Sequence, residues 1–206
     1  DHRDLHLSLR RQRQMCIRDR LSVGGGLGVA YLESESAPSI TRWGAMVSEA
    51  CDRFGVKARV SAEPGRSIAA QAAITVYSVG TVKELPGIRT YVAVDGGFGD
   101  NPRPMLYGSG YTSFMPGRVT EPRSALARIV GKHCESGDVL VREASIPEGV
   151  RVGDLLATPV TGAYGYSMGS SYNRIPRPSV VFVSNGTARL VVRRETLEDL
   201  ISLDMD

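Results

Sequence analysis

The sequence predicts an α/β segment followed by an all-β, antiparallel segment, and three observations carry that reading. Between Leu21 and Ser61 the chain runs strand, glycine-rich turn, helix and strand, the order of an α/β unit built on a parallel sheet. After about Thr75 it becomes a series of short, β-branched, alternating runs separated by glycine and proline. With 206 residues, 42% of them hydrophobic and 23% charged, the chain can bury a core and has an ordinary globular composition. The change of pattern falls near residues 75–80, with no long linker.

The elements follow in order. Residues 1–20 have no amphipathic period and hold six arginines and three aspartates, which is the whole of the net +3. A basic nucleic-acid-binding arm is one reading of them; a non-native, read-through scar is the one adopted, and they are set outside the fold. "LSVGGGLGVAY" is a short apolar entry into a glycine turn. "APSITRWGAMVSEACDRFG" reads as a helix: Pro38 suits its first turn, Gly55 its stop, and Ile40, Trp43, Val47, Ala50, Cys51 and Phe54 recur at three- and four-residue spacing. Cys51 on that face is expected to be a small core residue. "VKARVSAEPG" is a strand running into a loop, and "GRSIAAQAA" is one or two helical turns.

Seven strands are expected in the second part: "ITVYSVGTVKEL", "RTYVAVDGG", "ALARIVGKHC", "DVLVREA", "DLLATPV", "SVVFVSNG" and "ARLVVRR". Asn185-Gly186 between the last two signals a tight hairpin. "ETLEDLISL" is a short terminal helix.

Composition also excludes. No apolar run approaches the roughly 20 residues of a membrane span, and nothing resembles a secretory signal. Beyond residue 20 the basic and acidic residues balance, so neither nucleic-acid nor membrane binding is expected of the folded part. Cys16, Cys51 and Cys134 have no C-x-x-C spacing and do not cluster with His2, His6 and His133, so no disulfide framework and no metal site is expected. A reducing, cytoplasmic setting is the default.

Five stretches carry chemistry. "GGGLG" (Gly24–Gly28) is either a tight turn or a phosphate cradle, since backbone N–H groups approach an anion closely where no Cβ intervenes. It is neither a Walker loop nor the dinucleotide fingerprint. In "EPGRS", Glu63 could keep a proton on a heterocyclic nitrogen and Arg66 could grip a phosphate or carboxylate; a plain turn at Glu63, Pro64 and Gly65 is the bland alternative. In "DGGFGDNPRPMLYG", Arg103 is held between Pro102 and Pro104 with Tyr107 four residues on, which suits a preorganised carboxylate receptor or a proline-guarded strand end. "GAYGYSMGSSYN" leaves room around Tyr164 for a group to stack, or is a loop with core aromatics. "GKHCESGD" sets Cys134 in polar, turn-forming company, unlike a structural cysteine.

In this order the five stretches, followed by "YNRIPRPSVVFV", resemble the C-terminal half of the diaminopimelate decarboxylases, which are fold-type III (alanine racemase-like) pyridoxal-phosphate decarboxylases. The resemblance runs from about Leu21 to the C-terminus. It implies the C-terminal remnant of a (β/α)8 pyridoxal-phosphate-binding barrel over residues 21–76 and an antiparallel β domain over 77–206, with 1–20 outside. The cofactor implied is pyridoxal 5′-phosphate, its phosphate bound by backbone at Gly25 and Gly26 and by the loop Glu63, Pro64, Gly65 and Arg66. Glu63 would face the pyridine nitrogen. Arg66, Arg103 and Tyr107 would hold the substrate, the arginines at its distal carboxylate, and Tyr164 would touch cofactor and substrate.

Cys134 would be the proton donor after CO2 departs, and Glu135 would bind the distal ammonium, both reaching across a homodimer into the neighbouring active site. An accessible, tunable thiol accounts for the polar neighbours. Asp138 is expected to end the turn rather than take part; Lys132 and His133 either modulate the thiol or face solvent. The reaction implied is meso-2,6-diaminopimelate to L-lysine and CO2, the last step of lysine biosynthesis.

The family's Schiff-base lysine has no counterpart here. Lys57, Lys83 and Lys132 are the only lysines, none in such a setting, so the chain alone is expected to be an inactive and poorly soluble fragment. The alternatives are a related decarboxylase of the same fold (ornithine, arginine or carboxynorspermidine type), a catalytically dead dimerisation partner, or an unrelated β-rich binding module.

Overall fold

A parallel strand pair opens the computed structural model, which describes residues 19–205. β1 (Arg20–Ser22) pairs with β2 (Arg59–Ser61), setting Leu21 opposite Val60, and the Asp19 carbonyl accepts the Arg59 N–H at 2.8 Å. Asp19 and Arg20, set aside above with the arginine-rich segment, thus take part in this pairing. His2, His6 and Cys16 lie outside the described residues.

A parallel pair needs a crossover, and α1 (Ile40–Arg53) supplies it. Ser39, not a proline, starts the helix: its Oγ accepts the Arg42 N–H, while Pro38 lies before the cap rather than in the first turn. Gly55 ends the helix at φ 62°, a left-handed backbone that glycine adopts without strain. The apolar face of α1 does not become core. No residue of the helix is buried, Ile40, Met46 and Phe54 are largely exposed, and Cys51 is only half-buried rather than the core residue expected. A two-stranded sheet offers too little surface to cover a 14-residue helix. α2 (Gly65–Ala69) and a 3₁₀ turn at Ala70–Ala72 complete the first part.

The chain divides into two compact units: the described residues up to Ala30 with Glu35–Ile68, and Tyr31–Ser34 with Ala69 onward. In the second unit β3 (Ile74–Leu85), β4 (Arg89–Val94), β5 (Ala125–Val130), β6 (Val139–Ile146) and β7 (Leu155–Pro159) form one sheet of order β6-β5-β4-β3-β7. β3 is shared: its first half pairs with β7 and its second half with β4, with an irregularity at Gly80 between. Alternation along the strands buries Tyr77, Val79, Val92, Val94, Ile129 and Leu156 as a single apolar layer.

The β part is not wholly antiparallel. β4 and β5 pair in parallel, because residues 95–124 carry the chain back across the sheet before β5 begins. A separate antiparallel hairpin, β8 (Val180–Ser184) and β9 (Thr187–Val192), turns at Asn185 and Gly186 with φ 50° and 74°, the two positive values a type I′ turn requires. The chain then enters α4 (Leu197–Ile201) through a capping box between Thr196 and Asp199.

Candidate functional site

In the first unit the two glycine-bearing loops at the strand ends lie against each other. Glu63 N–H donates to Gly24 O at 2.7 Å, and Gly24 N–H donates to Ser22 Oγ at 3.2 Å. Ser22 Oγ donates in turn to the Glu63 carboxylate at 2.9 Å. A Cβ on Gly25 would stand 2.4 Å from the Glu63 carbonyl oxygen, so this close approach excludes any side chain. Gly24, Gly26 and Gly28 all have positive φ, and a Cβ on any of them would meet open space. Bare backbone beside open space, with half-buried Arg66 one residue beyond Gly65, is a donor set that fits a phosphate group. Gly25→Ala is expected to destabilise this unit by about 1–3 kcal/mol through forced overpacking. Trp43 is the chain's sole tryptophan and sits on α1, so urea unfolding followed by its fluorescence reads the loss.

In the second unit the stiff "NPRP" stretch starts the five-residue helix α3 (Arg103–Tyr107). Its first side chain turns inward: Arg103 is only 8% exposed. The guanidinium carbon lies 5.1 Å from the ring centroid of Tyr31, 5.3 Å from that of Tyr107 and 5.8 Å from that of Tyr164. Nη2 donates to Ser109 Oγ at 3.2 Å, and Nε is buried without a partner. Among the described residues no carboxylate pairs with it. Tyr111, close by, does not supply the missing charge, since burial pushes its phenol up to about 12. A desolvated, unpaired guanidinium is costly, and an anionic ligand is the remedy the arrangement leaves open.

Cys134 stands on a separate loop, Gly131–Asp138. Asp138, 3% exposed, accepts three times: from Phe98 N–H at 2.7 Å, and from His133 N–H and Nδ1–H, each at 2.9 Å. His133 is therefore not solvent-facing. It is 1% exposed, held by Asp138 and packed at a tilt against Phe98 at 4.7 Å, because a strand-end histidine with a buried carboxylate partner can be enclosed. Gly97 and Gly131 make the room, for a Cβ on either would fall 2.1–2.6 Å from the Asp138 oxygens. Lys132 is exposed.

Above this base Cys134 is exposed with φ 56°, and Tyr164 near Arg103 has φ 58°. Left-handed backbone at residues other than glycine is strained and gathers at functional sites. Tyr172 Oη donates to Glu135 Oε1, which raises the tyrosine's pKa, and the Tyr172 ring packs edge-on against Phe98 at 4.8 Å.

The structure thus gathers Arg103, Tyr107 and Tyr164 into one cluster, Gly25, Gly26, Glu63, Pro64, Gly65 and Arg66 into another, and Cys134 and Glu135 on a braced loop. Sequence reasoning missed Tyr31, Ser109, Phe98 and Tyr172 as supporting residues. Tyr172 lay inside a motif already singled out, whereas Tyr31 carried no local signal at all.

Residues 19–162 match the family described as pyridoxal-dependent decarboxylase, C-terminal sheet domain. Diaminopimelate decarboxylase of Bacillus subtilis is 48% identical over 190 residues, 90% of this chain and 43% of that protein. The Synechocystis enzyme of the same name is 44% identical over 189 residues, 89% of this chain and 40% of its own. The structure of diaminopimelate decarboxylase from M. jannaschii in complex with L-lysine superposes with a TM-score of 0.83 at 31% identity, covering 91% of this chain and 43% of that one. The chain spans less than half the length of the curated relatives it matches. With that family matched over more than half of its residues, the chain belongs to the pyridoxal-dependent decarboxylase family.

Proposed function

We propose that the chain forms part of a pyridoxal-phosphate-dependent carboxy-lyase that converts meso-diaminopimelate to L-lysine and CO2. The observation that carries this reading is the buried, unpaired Arg103 guanidinium, whose tyrosine neighbours Tyr107 and Tyr164 are exposed. An ornithine-type substrate has no distal carboxylate to offer it. Diaminopimelate has one beside its distal ammonium, and Glu135 suits the latter.

Backbone at Gly25 and Gly26 and the loop Pro64–Arg66 would hold the cofactor phosphate, with Glu63 at the ring nitrogen. When bound, pyridoxal phosphate supplies an electron sink for the scissile carbon–carbon bond. Arg103 and Tyr107 bind and orient the substrate, and Tyr164 packs against it. The Cys134 thiol donates the proton that takes the place of the departing carboxylate, and recovers one from solvent. Exposure of Cys134 and Glu135 on one loop supports a homodimer in which that loop completes the neighbouring active site. A cytoplasmic setting suits such a thiol.

The test is a chimera in which this chain replaces the matching C-terminal part of the Bacillus subtilis relative. It should release CO2 from meso-diaminopimelate and little from L-ornithine. Cys134→Ala should lower kcat by about 10²–10⁴-fold, the range for a lost proton donor. The 206-residue chain by itself should release none. Preference for ornithine would overturn the substrate assignment.

A further inference from the structure

The buried wall around Arg103 comes from a segment with no motif. Tyr31 is 9% exposed, whereas Tyr107 and Tyr164 are 62% and 45% exposed. A ring removed from water holds a cation far more firmly than one on the surface. Tyr31 is itself fixed, its ring meeting Tyr111 edge-on at 4.9 Å. The adjoining Leu32 sits so close to Gly110 that a Cβ there would lie 2.7 Å from its Cδ1. Arg103 Nε has no partner, while three rings lie within 5.8 Å of the guanidinium carbon, so ring packing is a main constraint on its orientation.

We propose that Tyr31 is a positioning residue for ligand recognition: its buried ring holds the Arg103 guanidinium desolvated and in one orientation before a carboxylate arrives. This rests on the reading of Arg103 as the group that receives the distal carboxylate. The benefit is preorganisation, since less side-chain freedom remains to be lost on binding. Tyr31 touches no ligand in this role; it acts through Arg103, and the ring rather than the hydroxyl matters.

The test uses the chimeric decarboxylase without cofactor and NMR of its arginine Nε–H groups, with the Arg103 signal identified by its loss in Arg103→Lys. Tyr31→Phe keeps the ring and should leave hydrogen exchange at Arg103 Nε–H and the affinity for added meso-diaminopimelate unchanged. Tyr31→Met and Tyr31→Leu should speed that exchange and weaken binding about tenfold, the loss expected of a desolvated cation–π contact. Two replacements of different shape guard against one that fails to fold, and unchanged backbone amide signals from the sheet certify each.

If both variants keep slow exchange and wild-type affinity, the role of Tyr31 is overturned and the carboxylate reading stands. If exchange accelerates but the wild-type Arg103 signal ignores diaminopimelate, the positioning role stands and the carboxylate reading falls.

Discussion

Replacing Arg103 by leucine in the chimeric decarboxylase is expected to lower kcat/KM for meso-diaminopimelate by about 10²–10³-fold, the cost of deleting one partner of a buried charge pair. The same change should not destabilise the protein. Arg103 is 8% exposed, has no carboxylate partner among the described residues and leaves Nε unpaired, so the free protein already bears the desolvation cost of that charge. An apolar side chain against Tyr31 removes the cost, and the melting temperature should hold or rise. Activity and stability are therefore expected to move in opposite directions, which a purely structural arginine would not produce. Arg103→Lys should recover little, because an ammonium neither stacks on three rings nor offers a planar fork to a carboxylate. L-Ornithine, which has no distal carboxylate, is the control: an equal fall in whatever slow turnover the chimera shows with it would sink the assignment of Arg103 to the distal end.

Much of this was legible because it is local. The strands from β3 to β9 lie where β-branched alternation placed them, and the turn at Asn185-Gly186 follows from two residues that tolerate positive φ. Arg103 between two prolines announced a rigid arginine, and the structure supplies the inward turn and the tyrosines around it.

What stayed hidden depends on neighbours remote in sequence. The helical period of α1 says which face is apolar but not whether anything covers it, and so Cys51 was misjudged. The parallel pairing of β4 with β5 depends on the path of a 30-residue connection rather than on either strand. Tyr31 could be recognised only once the fold had brought it to within 5.1 Å of Arg103. For His133 the sequence leaves a thiol modulator and a solvent-facing residue equally open, because nothing local shows its partner, Asp138, reaching back to enclose it.

That partner gives the second large effect. Asp138→Ala is expected to destabilise the sheet unit by about 3–5 kcal/mol, the cost of breaking a buried, hydrogen-bonded charge by removing one partner. The carboxylate accepts from Phe98 N–H, His133 N–H and His133 Nδ1–H, and alanine leaves all three donors enclosed and unpaired. Gly97 and Gly131 cannot close the gap, since they are bare backbone shaped around the missing oxygens. Asp138→Asn should cost less, because its carbonyl oxygen still accepts while its NH2 confronts a donor.

The loss should also reach the chemistry. Cys134 holds φ 56° between His133 and Glu135, a conformation worth of order 1–3 kcal/mol in strain that persists only while the surroundings fix it. Once the base beneath it loosens, the loop should relax, and the rate of Cys134 alkylation, followed by peptide mapping, should change in Asp138→Ala while that of Cys51 does not. Chemical denaturation with a wild-type midpoint, or unaltered Cys134 reactivity in the folded variant, would show that the loop holds its shape without the buried pair. The two glycines and the histidine around Asp138 would then need another explanation.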